Sequence, residues 1–111
     1  MGKKNVEKIT RLIRAFKKGI GKKYGVEKVI IFGSAAKGKM KKNSDIDIIV
    51  VSHKFGKKQF FSITPKLYEE WHQKQKIDYP VDILLYNTRE FADASEKIGI
   101  VSQALSEGLT V

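Results

Sequence analysis

Acidic residues stand inside the segments that most strongly read as core strands, and this constrains the fold more than any other feature. Ser44-Asp45-Ile46-Asp47-Ile48 opens a β-branched run through Val51. In an extended chain side chains alternate, so Asp45 and Asp47 project from one face while Ile46 and Ile48 enter the core. Asp82 sits in the same manner between Val81 and Ile83 at the start of a third apolar run ending at Tyr86. Packed carboxylates repel and resist burial, and a divalent cation is the usual remedy. Mg2+ is suited to such a set, because it takes one or two carboxylates and completes its shell with water and phosphate oxygens. The plainer alternative leaves Asp45 and Asp47 on the solvent face of an edge strand.

The rest of the chain supplies a frame. Val6, Ile9, Leu12, Ile13, Phe16 and Ile20 recur at helical spacing, predicting a helix from Asn5 to Lys23 with Asn5 as N-cap and Gly25 as its stop. Val29-Ile30-Ile31-Phe32 is a short buried strand running into Gly33-Ser34. Residues 35–44 form a loop or a short helical turn. Thr64-Pro65 resembles an N-cap with proline at the first helical position, opening a helix to about Lys76. Asn87 with Glu90 resembles a capping box that starts a last helix, interrupted at Gly99 and capped at Gly108. The expected order is α-β-β-α-β-α: an α/β (α+β) fold with a small mixed sheet and helices mainly on one side. Residues 1–111 read as a single domain.

Composition narrows the partners. Lys and Arg number 22 against 12 Asp and Glu, a formal charge of +10, and only Arg11, Arg14 and Arg89 are arginines. Such an excess favours polyanions, although a lysine-rich surface also serves solubility alone. Cysteine is absent, which excludes disulfides and thiolate metal sites. No apolar run approaches the roughly 20 residues that cross a bilayer, and no signal-peptide core is visible, so a cytoplasmic protein without membrane attachment is expected.

A glycine at the end of a strand lets phosphate approach the backbone, and the following hydroxyl and amides can hold it. With that turn the composite becomes specific. Ile31-Phe32-Gly33-Ser34-Ala35-Ala36-Lys37-Gly38, then Ser44-Asp45-Ile46-Asp47-Ile48-Ile49-Val50, then Asp82, resembles the signature of the DNA polymerase β-like nucleotidyltransferase superfamily. Length and helix-first layout are most similar to its minimal nucleotidyltransferase branch.

The resemblance implies a nucleotidyltransferase-like fold and transfer of a nucleoside monophosphate, AMP from ATP or another NTP, through two Mg2+ ions. It implies that Asp45 and Asp47 ligate metal, and that Asp82 completes the acceptor-side metal site and helps to deprotonate the attacking hydroxyl. Gly33 and Ser34 would bind the β- and γ-phosphates, with Ser44 assisting. The family's usual loop carries arginine where this chain has Ala35 and Lys37. Lys37 keeps a charge there, as a point charge rather than a bidentate fork, while Ala35 leaves open a weakened or lost activity. A chain this short leaves no room for an acceptor-binding domain, so an oligomer or hetero-complex is expected. The resemblance suggests a helical HEPN-type partner in a toxin–antitoxin pair, with this chain as antitoxin.

Two other readings stand beside it: a catalytically silent module that neutralises a partner by contact, and a nucleic-acid-binding or terminal nucleotide-adding protein. Lys37, Lys39, Lys41 and Lys42 could steer triphosphate or nucleic acid toward the aspartates. Trp71 with Tyr68 is either a base-stacking platform or core. His53 and His72 are expected on the surface, and Phe60-Phe61 is either a partner patch or core filling.

Overall fold

The apolar stripe of the first helix, α1 (Gly2–Tyr24), sets the architecture. Ile9, Ile13, Phe16 and Ile20 are each 2% exposed or less, so the helix buries one whole face. That burial is worth about 1.5–3 kcal/mol per side chain against exposure. The computed structural model describes residues 2–41 and 44–111, excepting the side chains of residues 2–4 and Lys57; the expected loop residues Lys42 and Asn43 lie outside these. Asn5 lies within α1 rather than at its start. Gly25 ends the helix with φ of 61°, in the left-handed region where glycine carries no Cβ penalty.

Among the described residues four strands make one mixed sheet, β1 (Val26–Phe32), β2 (Ile46–Ser52), β3 (Val81–Asn87) and β4 (Leu109–Thr110), ordered β3-β2-β1-β4. β1 is antiparallel to β2 and β4, whereas β2 and β3 are parallel. The parallel pair requires a crossover, and α2 (Phe60–Glu69) supplies it, followed by a π-helical turn over Glu70–Lys74. Thr64-Pro65 does not open this helix. It begins at Phe60 and carries Pro65 inside it, because Ile63 and Leu67, four residues apart, both bury against the sheet.

Both faces of the sheet are covered, unequally. The larger core joins α1 and α2 to Val29, Ile31, Ile46, Ile48, Val50 and Ile83. Trp71 is fully buried there, set edge-on to Phe16 with ring centroids 5.2 Å apart, and its Nε1–H donates to the Tyr79 carbonyl at 2.9 Å. It is a core residue and not a stacking platform. The opposite face carries Ile30, Ile49 and Val51 beneath two short helices, α3 (Thr88–Ser95) and α4 (Ile100–Glu107), which contribute Phe91, Val101 and Ala104. Asn87 caps α3 as expected, its side chain accepting from the Glu90 amide at 2.7 Å. The order α-β-β-α-β-α holds through α3, after which α4 is a separate helix and β4 an additional strand.

Candidate active site

The antiparallel turn-back of β1 and the parallel pairing of β2 with β3 bring three chain segments to one end of the sheet. β1 delivers its C-terminal end, with Gly33 next, where β2 and β3 begin. The register makes a row across the strands: Phe32 pairs with Asp47, and Asp47 pairs with Asp82. Neighbouring strands lie about 4.8 Å apart and directly paired residues share a face. Asp47 therefore points to the same side as Asp82. Along β2 that face continues as Ile49 and Val51, both buried beneath α3 and α4.

Asp47 is half-buried, while Asp45 and Asp82 are exposed. β2 starts at Ile46, so Asp45 sits on the lip of the strand rather than within it. Burial first, then the charges of Asp82 and Asp45, hold the Asp47 carboxyl above its ordinary value of 3.8. The charges of Asp82 and Asp45 thus both bear on Asp47 at this end of the sheet. Among the described residues no three His, Cys, Asp or Glu side chains are gathered closely enough to enclose an ion. The donor set nevertheless fits a hard divalent cation: oxygen ligands whose mutual repulsion a positive charge relieves, with two of the three exposed.

Gly33 has φ of 70°, and a β-carbon there would stand 2.7 Å from Asp47 Oδ2. Glycine is favoured here for two reasons, its backbone angle and the carboxylate against it. Beyond it the chain closes on itself, with the Lys39 amide donating to the Ser34 carbonyl at 2.9 Å. Ala35 is 2% exposed and belongs to the larger core. Its methyl group is packed into that core. Ser44 terminates the loop, its Oγ accepting from the Lys41 amide at 2.8 Å.

A cleft of about 210 Å³ opens beside Gly33, lined by Phe32, Gly33, Lys37, Ile100, Gln103, Ala104 and Glu107. Lys37 Nζ lies 3.5 Å from Glu107 Oε2, an exposed pair worth at most about 1 kcal/mol. Sequence reasoning missed the α4 wall of this cleft. Its signal was the spacing of Ile100, Gln103, Ala104 and Glu107, which puts them on one face of a helix. His53 and His72 are exposed and stand apart from this row, and Lys39 and Lys41 are exposed on the loop.

The chain is 43% identical over 47 residues to a putative protein adenylyltransferase of Methanocaldococcus jannaschii, covering 42% of this chain and 55% of that protein. It is 38% identical over 45 residues to the protein adenylyltransferase MntA of Thermococcus cleftensis, covering 40% of this chain and 46% of the relative. The matches thus span about half the length of these relatives. A crystal structure of a mutant of the toxin–antitoxin MntA–HpeT has the same fold, with a TM-score of 0.50 and 20% identity over 95% of this chain and 70% of that one. A family model describing the nucleotidyltransferase domain matches residues 13–107. The chain belongs to the nucleotidyltransferase domain family.

Proposed function

We propose that the protein is a Mg2+-dependent nucleotidyltransferase that moves AMP from ATP onto a hydroxyl of a partner protein. The observation that carries this reading is the Asp47–Asp82 pair, in register on parallel strands beside a left-handed Gly33. The adenylyltransferase names of the two archaeal relatives support adenosine as the base and protein as the acceptor. Asp45 and Asp47 would hold the metal, with Asp82 completing the site on the acceptor side. Bound there, two Mg2+ ions would lower the pKa of the attacking hydroxyl and neutralise charge on the departing pyrophosphate.

The chain's own groups do the rest. The acceptor oxygen attacks the α-phosphorus; the new P–O bond forms as the bond to the α–β bridging oxygen breaks and pyrophosphate leaves. The hydroxyl proton passes to the exposed Asp82 carboxylate. Gly33 admits the β- and γ-phosphates against the backbone, Ser34 donates its hydroxyl, and Lys37 adds charge from the cleft wall. Ser44 accepts from Lys41, and its hydroxyl proton can still be donated to a phosphate. Catalysis is mainly positioning and charge stabilisation.

The fold neighbour is a toxin–antitoxin assembly. In keeping with the family resemblance, the acceptor is a small helical HEPN-type toxin that this chain silences as antitoxin. The burial of Ala35 supports an active enzyme over a silent module, because in this chain the position fills a place in the larger core.

The test is transfer of label from ATP radiolabelled at the α-phosphate, with Mg2+, to the protein encoded beside this one, run in parallel with Asp47→Asn. Label on the partner with wild type alone is expected. ATP binding without transfer would remove this acceptor, and failure to bind any NTP would remove the reading.

A further inference from the structure

The proposed chemistry occupies one end of the sheet and leaves the net charge of +10 largely unexplained. Much of it lies on the outer face of α1. At 100° per residue, Lys8, Arg11, Arg14, Lys18 and Lys22 fall within an arc of about 120°, opposite the buried Ile9, Ile13, Phe16 and Ile20. All five cations are exposed. The stripe runs for about 21 Å, with successive cations rising about 4.5–6 Å along the axis. Lys8 Nζ lies 5.8 Å from the centre of the Tyr79 ring, just before β3 begins, so the stripe starts near the carboxylate end of the molecule and runs away from it. Glu7 is the one acid on the arc, and Ala15 the largest apolar residue. Among the described residues Arg11, Arg14, Lys18 and Lys22 form no ion pair within 4.0 Å.

We infer that this face binds the phosphate backbone of a nucleic-acid strand. Unpaired cations in a rigid row are set for a regularly spaced polyanion, whose condensed counterions are released on binding. A membrane surface fits less well, because an interfacial helix inserts its apolar face and α1 has committed that face to the core. The inference is independent of the transfer chemistry: it concerns another face, and it holds whether or not AMP is transferred.

The experiment is fluorescence anisotropy of a labelled 20-nucleotide single-stranded RNA against the full chain between 50 and 200 mM salt. Five phosphate contacts predict a slope of about −3.5 in log K against log salt, or roughly a hundredfold loss over that range. Arg11→Gln/Arg14→Gln/Lys18→Gln should reduce the slope to about −1.4, roughly a sevenfold loss. Lys58→Gln/Lys76→Gln/Lys97→Gln removes the same charge from other exposed positions and should leave the slope near that of wild type. The substituted α1 positions face solvent and glutamine suits a helix, so the fold is retained, and circular dichroism checks this. Absence of RNA binding at 50 mM salt, or equal losses in the two triple variants, would overturn the inference. Tighter binding of poly-glutamate than of RNA at equal charge would give the face to an acidic protein and overturn it likewise.

Discussion

Gly33 and Asp47 are in contact across the end of the sheet: a β-carbon on Gly33 would stand 2.7 Å from Asp47 Oδ2, and the Gly33 backbone is left-handed at φ of 70°. The turn and the carboxylate therefore cannot vary independently. Gly33→Ala must pay the left-handed penalty of about 1–2 kcal/mol and also displace Asp47. It should lower the melting temperature by about 4–8 °C per kcal/mol in a domain near this size. Adenylyl transfer should fall at least tenfold, the cost expected when a reacting group moves out of place. Gly25→Ala, at φ of 61° beside Lys54, is the control: it loses stability while the folded fraction keeps its activity. Equal activity losses in the two variants would separate Gly33 from the site.

The raised Asp47 carboxyl makes a prediction of sign. Its folded value lies above 3.8 through burial and the charges of Asp82 and Asp45, so the native state binds the proton more tightly than the unfolded chain. Below 3.8 both states are protonated and nothing is lost. As pH rises through the folded value, native Asp47 must ionise among like charges, and stability falls. In chelator at neutral pH, Asp47→Asn should melt a few degrees above wild type, with the gap closing as the pH approaches 3.8. Adding Mg2+ should raise wild type and leave the variant unmoved. A variant less stable than wild type in chelator would contradict the repulsion.

Much of this site was legible because it obeys local rules. The strands announce themselves through β-branched runs, and the alternation around Asp47 places its side chain without knowledge of the fold. That Asp82 shares its row required the parallel register of β2 and β3, which no local pattern encodes. Other features were hidden for physical reasons. β4 is two residues long, Leu109 and Thr110, too short to show a period; it exists because β1 offers Ile30 and Ile31 as pairing partners. Thr64-Pro65 carries a helix-start signature, yet the burial of Ile63 extends α2 upstream of the proline. The α4 wall of the cleft meets Gly33 only through tertiary packing.

Trp71 tests the distinction between core and ligand platform. Its indole is fully buried, edge-on to Phe16, with Nε1–H on the Tyr79 carbonyl. Trp71→Phe leaves a cavity and an orphaned carbonyl, for a combined cost of about 2–4 kcal/mol. Denaturant unfolding should show that loss, while ATP affinity measured well below the midpoint stays unchanged. A drop in affinity without a drop in stability would restore the stacking role.

Ala35 decides between a packing position and a lost phosphate contact. It is 2% exposed and belongs to the larger core, two residues after the glycine that meets Asp47. An arginine forced into that space overpacks the core, which costs about 1–3 kcal/mol. Its charge must then escape to solvent along the stem or stay buried at further cost. Ala35→Arg should therefore melt well below wild type, without any gain in ATP affinity or transfer rate. Lys37→Ala provides the contrast: it removes an exposed cation from the cleft wall whose pairing with Glu107 is weak, so stability should change by less than about 1 kcal/mol. ATP affinity should fall severalfold, and more at low salt, where screening is least. If Ala35→Arg instead binds ATP more tightly at unchanged stability, the loop has room for a phosphate-gripping fork, and the alanine marks chemistry given up rather than a core that closed around a smaller residue.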